Sequence, residues 1–137
     1  MKYVTRYQDL DVYQLAQRLA REIFEISKTF PREEMYSLTD QIRRSSRSIG
    51  AQIAEAWGKR RYENHYVSKL TDADGERLET EHWLGSASYC KYIEIDVVDR
   101  LLDDYTYLGR MLESMMNKSA SFCKAFKSQR SHRREEV

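Results

Sequence analysis

The feature that most constrains this chain is a run of apolar residues near its end. Leu101, Tyr105, Leu108, Leu112, Met115, Ser119, Phe122 and Phe126 follow one another at steps of 4, 3, 4, 3, 4, 3 and 4. Such a seam belongs to long helices packed at shallow angles. The rest of the chain has little that could interrupt it, with Gly 5 and Pro 1 in 137 residues. An all-β sandwich or barrel needs a turn every ten residues or so, and a phosphate-cradling loop needs glycines. Neither is expected on that ground.

Three further segments carry helical stripes. Val12, Ala16, Leu19, Ile23, Ile26 and Phe30 define a helix over about 9–30, closed by Pro31, because the residue before a proline is pushed out of the α region. Leu38, Ile42, Ser45, Ile49, Ile53 and Ala56 define a second over 35–61, with Ser37 as N-cap. Tyr66, Leu70, Ala73, Leu84 and Ala87 define a third over 63–92, and Asp96 or Asp99 caps a fourth over 97–126. At 1.5 Å per residue each is roughly 30–45 Å long. Four long helices with short connections give an all-α, up-down-up-down antiparallel four-helix bundle over 1–126. Residues 127–137 read as a basic, aperiodic, disordered tail.

The formal charge of +1 is a cancellation of blocks. Residues 35–62 hold six basic against two acidic side chains, a net +4, and 63–84 reverse this to −4. Residues 96–117 are −3 and 118–137 are +4. One reading pairs the basic second helix with the acidic third inside the fold. The other puts Arg43, Arg44 and Arg47, or Lys59, Arg60 and Arg61, on phosphate. The third helix carries Asp74, Arg77 and Glu81 at pairing distance along itself, and a carboxylate on a partly buried seam needs a cation. Arg44 or Arg47 would answer Glu76 and Glu79. Thr80 lies beside them in a polar layer that would set register or subunit pairing. Gly50, Ala51 and Ala54 lie off the stripe of the second helix. Small residues there imply close packing on more than one side, either by a second protomer or by bulky side chains of the same chain.

Catalytic and metal constellations are not expected. A carboxylate-bridged di-iron bundle needs two Glu-x-x-His pairs; Glu79 to His82 is one, and Tyr62 and Gln129 stand where His65 and His132 would need glutamate. Neither Cys90 nor Cys123 sits in a motif that activates a thiol, and two cysteines suggest free thiols in a reducing compartment. No apolar stretch approaches a membrane span, and the first residues lack the apolar core of a leader. A cytoplasmic protein with no cofactor and no small-molecule substrate is the expectation. Trp57, Tyr62, Tyr66, Trp83, Tyr89 and Tyr92 fall on or beside the second and third helices, a composition that suits protein interfaces.

Particular motifs go further. Asp9, Leu10, Val12 and Tyr13, then Phe30, Pro31 and Glu34, then Gln41-Ile42-Arg43-Arg44 and Ser48-Ile49 with Ile53-Ala54-Glu55 resemble the 23S rRNA-intervening sequence proteins. The stretch 66–84, followed by 90–93, resembles a variant branch of that family. Gln52 replaces the family's Asn, and Ala56 its Gly. The resemblance implies a homopentameric ring. It also implies kinship in fold with the accessory variability protein of diversity-generating retroelements, which binds a reverse transcriptase and nucleic acid. The expected function is a non-enzymatic oligomeric scaffold that binds itself. The alternative is an accessory protein that binds RNA or DNA, or an enzyme acting on them, through basic surfaces. Gln41, Ser48, Gln52, Glu55, Trp57, Asp72, Glu76, Glu79, Thr80 and Trp83 are the candidates for subunit contact or the polar layer.

Overall fold

The structure is a computed structural model that describes residues 4–124, 126 and 127. Four α-helices follow one another: α1 (Asp11–Ser27), α2 (Leu38–Gly58), α3 (Glu63–Tyr89) and α4 (Ile95–Asn117). There is no strand among the described residues. Consecutive helices pack side by side, α4 closes against α1, and the diagonal pairs do not meet. Cross-helix contacts give the direction. Gln17 and Phe24 of α1 face Gly50 and Arg43 of α2. Ser45 and Gln52 of α2 meet Thr80 and Lys69 of α3. Arg77 and Thr71 of α3 meet Gly109 and Met116 of α4, and Arg100 and Asp104 of α4 reach Glu22 and Arg18 of α1. In each pair one number rises as the other falls, so all four neighbours are antiparallel.

The stripes read from the sequence form the core. Leu19, Ile42, Ile49, Ile53, Leu70, Leu84, Leu101, Leu108 and Leu112 are fully buried. Burying a side chain of this size contributes about 1.5–3 kcal/mol. Two tyrosines, Tyr66 and Tyr105, are fully buried among them, and neither hydroxyl has a hydrogen-bond partner among the described residues.

The ends differ from expectation. Ser37 makes no cap to α2; its hydroxyl donates instead to the Glu34 carboxylate at 2.7 Å. Glu94, not Asp96 or Asp99, precedes the first residue of α4. α3 stops at Tyr89 because Lys91 adopts a left-handed backbone, φ 61°, and the Tyr92 amide turns back to the Ala87 carbonyl at 2.9 Å. That is the closing turn usually given to glycine. The fourth helix is interrupted at Lys118 and becomes helical again from 119. Asn117 and Ser119 are weak helix formers, and Ser119 donates to the Glu63 carboxylate at 2.7 Å. The interruption turns Cys123 into the core, leaving Phe122 half-buried over Trp57 and Tyr66. The basic segment 128–137 lies outside the described residues.

Candidate interaction surface

The α2–α3 seam gathers most of the expected polar layer within one chain. The Arg44 guanidinium donates to both oxygens of Glu76, at 3.3 and 3.5 Å, and to Glu79. Its Nε lies 3.5 Å from the Gln41 side chain. Lys69 reaches Glu55 at 2.9 Å, Gln52 at 3.4 Å and Asp72 at 3.8 Å. The hydrogen bond from Lys69 holds the Glu55 carboxyl below its ordinary range, and Glu55 raises Lys69 in return. Beneath these exposed pairs the Thr80 hydroxyl donates to Ser45 at 2.9 Å, both residues fully buried. Solvent screening leaves these exposed ion pairs little weight in stability. Their role is to orient α2 on α3. Trp83 is half-buried, and its indole nitrogen has no partner among the described residues.

The opposite flank of α2 is different. Between α1 and α2 runs an open groove with Tyr13, Phe24 and Ala54 along it and Ala51 at its edge. The Phe24 ring carries three cations: Arg43 at 4.7 Å, Lys28 at 4.8 Å and Arg47 at 5.2 Å. Arg43 donates to the Ser27 hydroxyl at 2.7 Å. Arg21 is exposed on the α1 side of the groove. Among the described residues no carboxylate lies within ion-pair distance of Arg21, Arg43 or Arg47. This contrasts with Arg44, Arg77 and Arg100, which are all paired. Ser48 lies between the two flanks, in a shallow depression with Arg43, Arg44 and Arg47. Gly50 is buried, and a Cβ there would meet the Gln17 side-chain oxygen at 2.8 Å and the Tyr13 ring at 3.4 Å. Its small size is therefore explained inside the chain. Ala51 and Ala54 are not covered in that way.

The basic run after α2 divides. Lys59 and Arg61 are exposed. Arg60 is buried, with its guanidinium 3.4 Å from the centre of the Trp57 rings, 4.9 Å from Phe126, and its Nε donating to the Trp57 carbonyl at 2.7 Å. Its reading as a phosphate contact is corrected: it covers one end of the core. Trp57 likewise packs within its own chain, under Phe122, which explains its burial without a second protomer. The aromatics do not form one surface cluster. Tyr62 and Tyr89 are exposed at opposite ends of α3, and Tyr92 stacks on Phe30. Sequence reasoning missed Arg21 and Phe24. The available signal was that Phe24 is an aromatic off the buried stripe of α1.

No helix among the described residues is long and apolar enough to cross a membrane, and no group of three or more His, Cys, Asp or Glu among them could hold a metal ion. The molecule is thus a closed antiparallel four-helix bundle with one flank internally paired and one flank basic and open. The chain belongs to the 23S rRNA-intervening sequence protein family, whose model matches residues 8–114. A crystal structure of a protein of unknown function from the S23 ribosomal protein family of Bacteroides thetaiotaomicron is similar, with TM-score 0.71 and 29% identity over 77% of this chain and 95% of that one. Among curated proteins none matches.

Proposed function

We propose that this protein is a non-enzymatic, cytoplasmic scaffold that assembles with itself, as the homopentamer that the family resemblance implies. The observation that carries the reading is the α1–α2 groove. It combines an aromatic ring with arginines that have no carboxylate partner among the described residues, beside the exposed Ala51, and aromatics and arginine are what a surface covered in use favours. Family membership supports it. Sedimentation equilibrium at micromolar concentration tests it: the expected mass is about five times that of the 16.4 kDa chain, and a clean monomer overturns the reading.

A second reading rests on Arg21, Arg43 and Arg47. Three cations on one flank, repeated by symmetry in an assembly, suit phosphate, and several weak sites give avidity. The protein would then accompany RNA or DNA, or an enzyme acting on it. Binding to structured RNA and duplex DNA, titrated with salt, is expected to show a steep log–log slope. Absence of binding to both at low salt overturns this alternative.

A further inference from the structure

The outward face of α3 breaks the rule that the other helices follow. Thr71, Gly75, Leu78, His82, Gly85 and Tyr89 recur at steps of 4, 3, 4, 3 and 4, and all are exposed. Asn64 and Ser68 precede them at the same spacing and are also exposed. None is Asp, Glu, Lys or Arg, in a chain that is 33% charged. The matching outer line of α4 runs Asp96, Asp99, Asp103, Thr106, Arg110 and Glu113, and that of α1 runs Asp11, Gln14, Arg18, Arg21 and Glu25. Both lines carry charge, as solvated faces do, although Arg21 and Glu25 at the end of the α1 line also border the α1–α2 groove. The α3 face is a second 4–3 seam, on the outside.

Nothing among the described residues accounts for it. A Cβ added at Gly75 or Gly85 would meet no atom within 4 Å, so neither glycine makes room for a neighbour of its own chain. Glycine is the weakest helix former apart from proline, and both stand inside α3 rather than at its ends. Between them Leu78 is 54% exposed, and Tyr89 beyond them is 88% exposed. Charge frames the seam. At 100° per residue Asp72 and Glu79 border one side and Asp74 and Glu81 the other. The whole of α3 carries six carboxylates against Lys69 and Arg77.

We infer that this seam is the surface that seats in the α1–α2 groove of a second copy of the chain. The inference rests on the self-assembly proposed above and names the two faces that meet. Complementarity points to the pairing. The groove is lined by Arg21 and Arg47, with Arg43 beside them on the Phe24 ring; its one carboxylate, Glu25, is paired with Lys28, and Ala51 and Ala54 lie along it. The seam offers an apolar ridge at Leu78, close backbone approach at its glycines, and a net negative border, because Lys69, Arg44 and Arg77 each face two carboxylates of their own chain. α3 and α1 are diagonal in the bundle and do not touch, so the seam cannot reach the groove of its own chain. Because the two faces differ, the contact is head-to-tail, the kind that closes into a ring when its rotation allows.

The test uses the full-length chain and variants on each face. Leu78→Lys spoils the seam and Ala51→Glu spoils the groove, each by bulk and like charge. Gly85→Gln is a second seam variant that improves helix propensity, so failure to fold cannot explain its effect. Each variant is expected to keep the wild-type helical circular dichroism and to weaken association by about thirtyfold or more, as at a buried hot spot. Mixing Leu78→Lys with Ala51→Glu should restore a one-to-one dimer, since one intact groove then meets one intact seam. Variants that assemble like the wild type overturn the choice of faces while leaving self-assembly standing. Spoiled variants that do not dimerise on mixing overturn the head-to-tail pairing. A monomeric wild type overturns both readings. Binding of structured RNA that Ala51→Glu abolishes and Leu78→Lys leaves intact, without assembly, gives the groove to nucleic acid and overturns the inference.

Discussion

At the scale of single residues, two buried hydroxyls stand out. Tyr66 and Tyr105 are fully enclosed and their phenol oxygens have no partner among the described residues. A buried polar group without a hydrogen bond costs about 1–3 kcal/mol, so Tyr105→Phe, which keeps the ring, is expected to be neutral or to stabilise by about 1 kcal/mol. Burial pushes both phenols well above their ordinary range. The folded state therefore favours the protonated form. The associated stability is complete below the unfolded pKa near 10, and is lost as pH rises from there towards the folded value. Thermal unfolding between about pH 8 and 12 should show a steeper alkaline loss in the wild type than in Tyr105→Phe; equal slopes would contradict the assignment. The sequence placed both tyrosines on helical stripes. It could not show that no partner reaches their hydroxyls, because that depends on which side chains arrive from other helices.

At the scale of elements, Arg77 shows how a local pattern becomes a tertiary contact. Its pairing with Asp74 and Glu81 follows from i+3 and i+4 spacing and is present in the structure. What spacing could not reveal is that the guanidinium lies across Gly109 of α4, where a Cβ would come within 2.6 Å of it. Only 13% of the Arg77 side chain is exposed, with a carboxylate on each side, so it has little freedom to withdraw. Gly109→Ala gains about 1 kcal/mol in helix propensity but disrupts charge-assisted hydrogen bonds worth about 1.5–3 kcal/mol each. The expected net loss is about 1–2 kcal/mol, read from the urea midpoint; a gain in stability would show that Arg77 moves away freely. The same limit explains α4. The sequence seam runs unbroken to Phe126, yet a straight helix drifts about 20° per heptad against a 3.5-residue repeat. After three heptads the interruption at Lys118 brings Cys123, rather than Phe122, fully into the core.

At the scale of the whole molecule, the question left by the near-neutral net charge has a spatial answer. Part of the +4 block of α2 cancels against the −4 block of α3 through Arg44 and its two glutamates, while Arg43 and Arg47 turn to the other flank. If those arginines meet the acidic borders of a second copy, assembly should weaken as NaCl rises from about 0.05 to 0.5 M, where screening shortens from about 14 to 4 Å. An association constant that does not fall over this range, measured by sedimentation, would count against charge as a determinant of the contact. The sequence by itself determined the class of fold, the number and order of helices, the buried stripes and the family. Each of these rests on local periodicity or on motifs contiguous in the chain. Only the tertiary structure decided which arginines are neutralised, that Arg60 is core rather than surface, and that α3 carries an uncharged, exposed seam on its outside. Those outcomes depend on how each helix is rotated about its axis, and rotation is fixed by the neighbours it packs against.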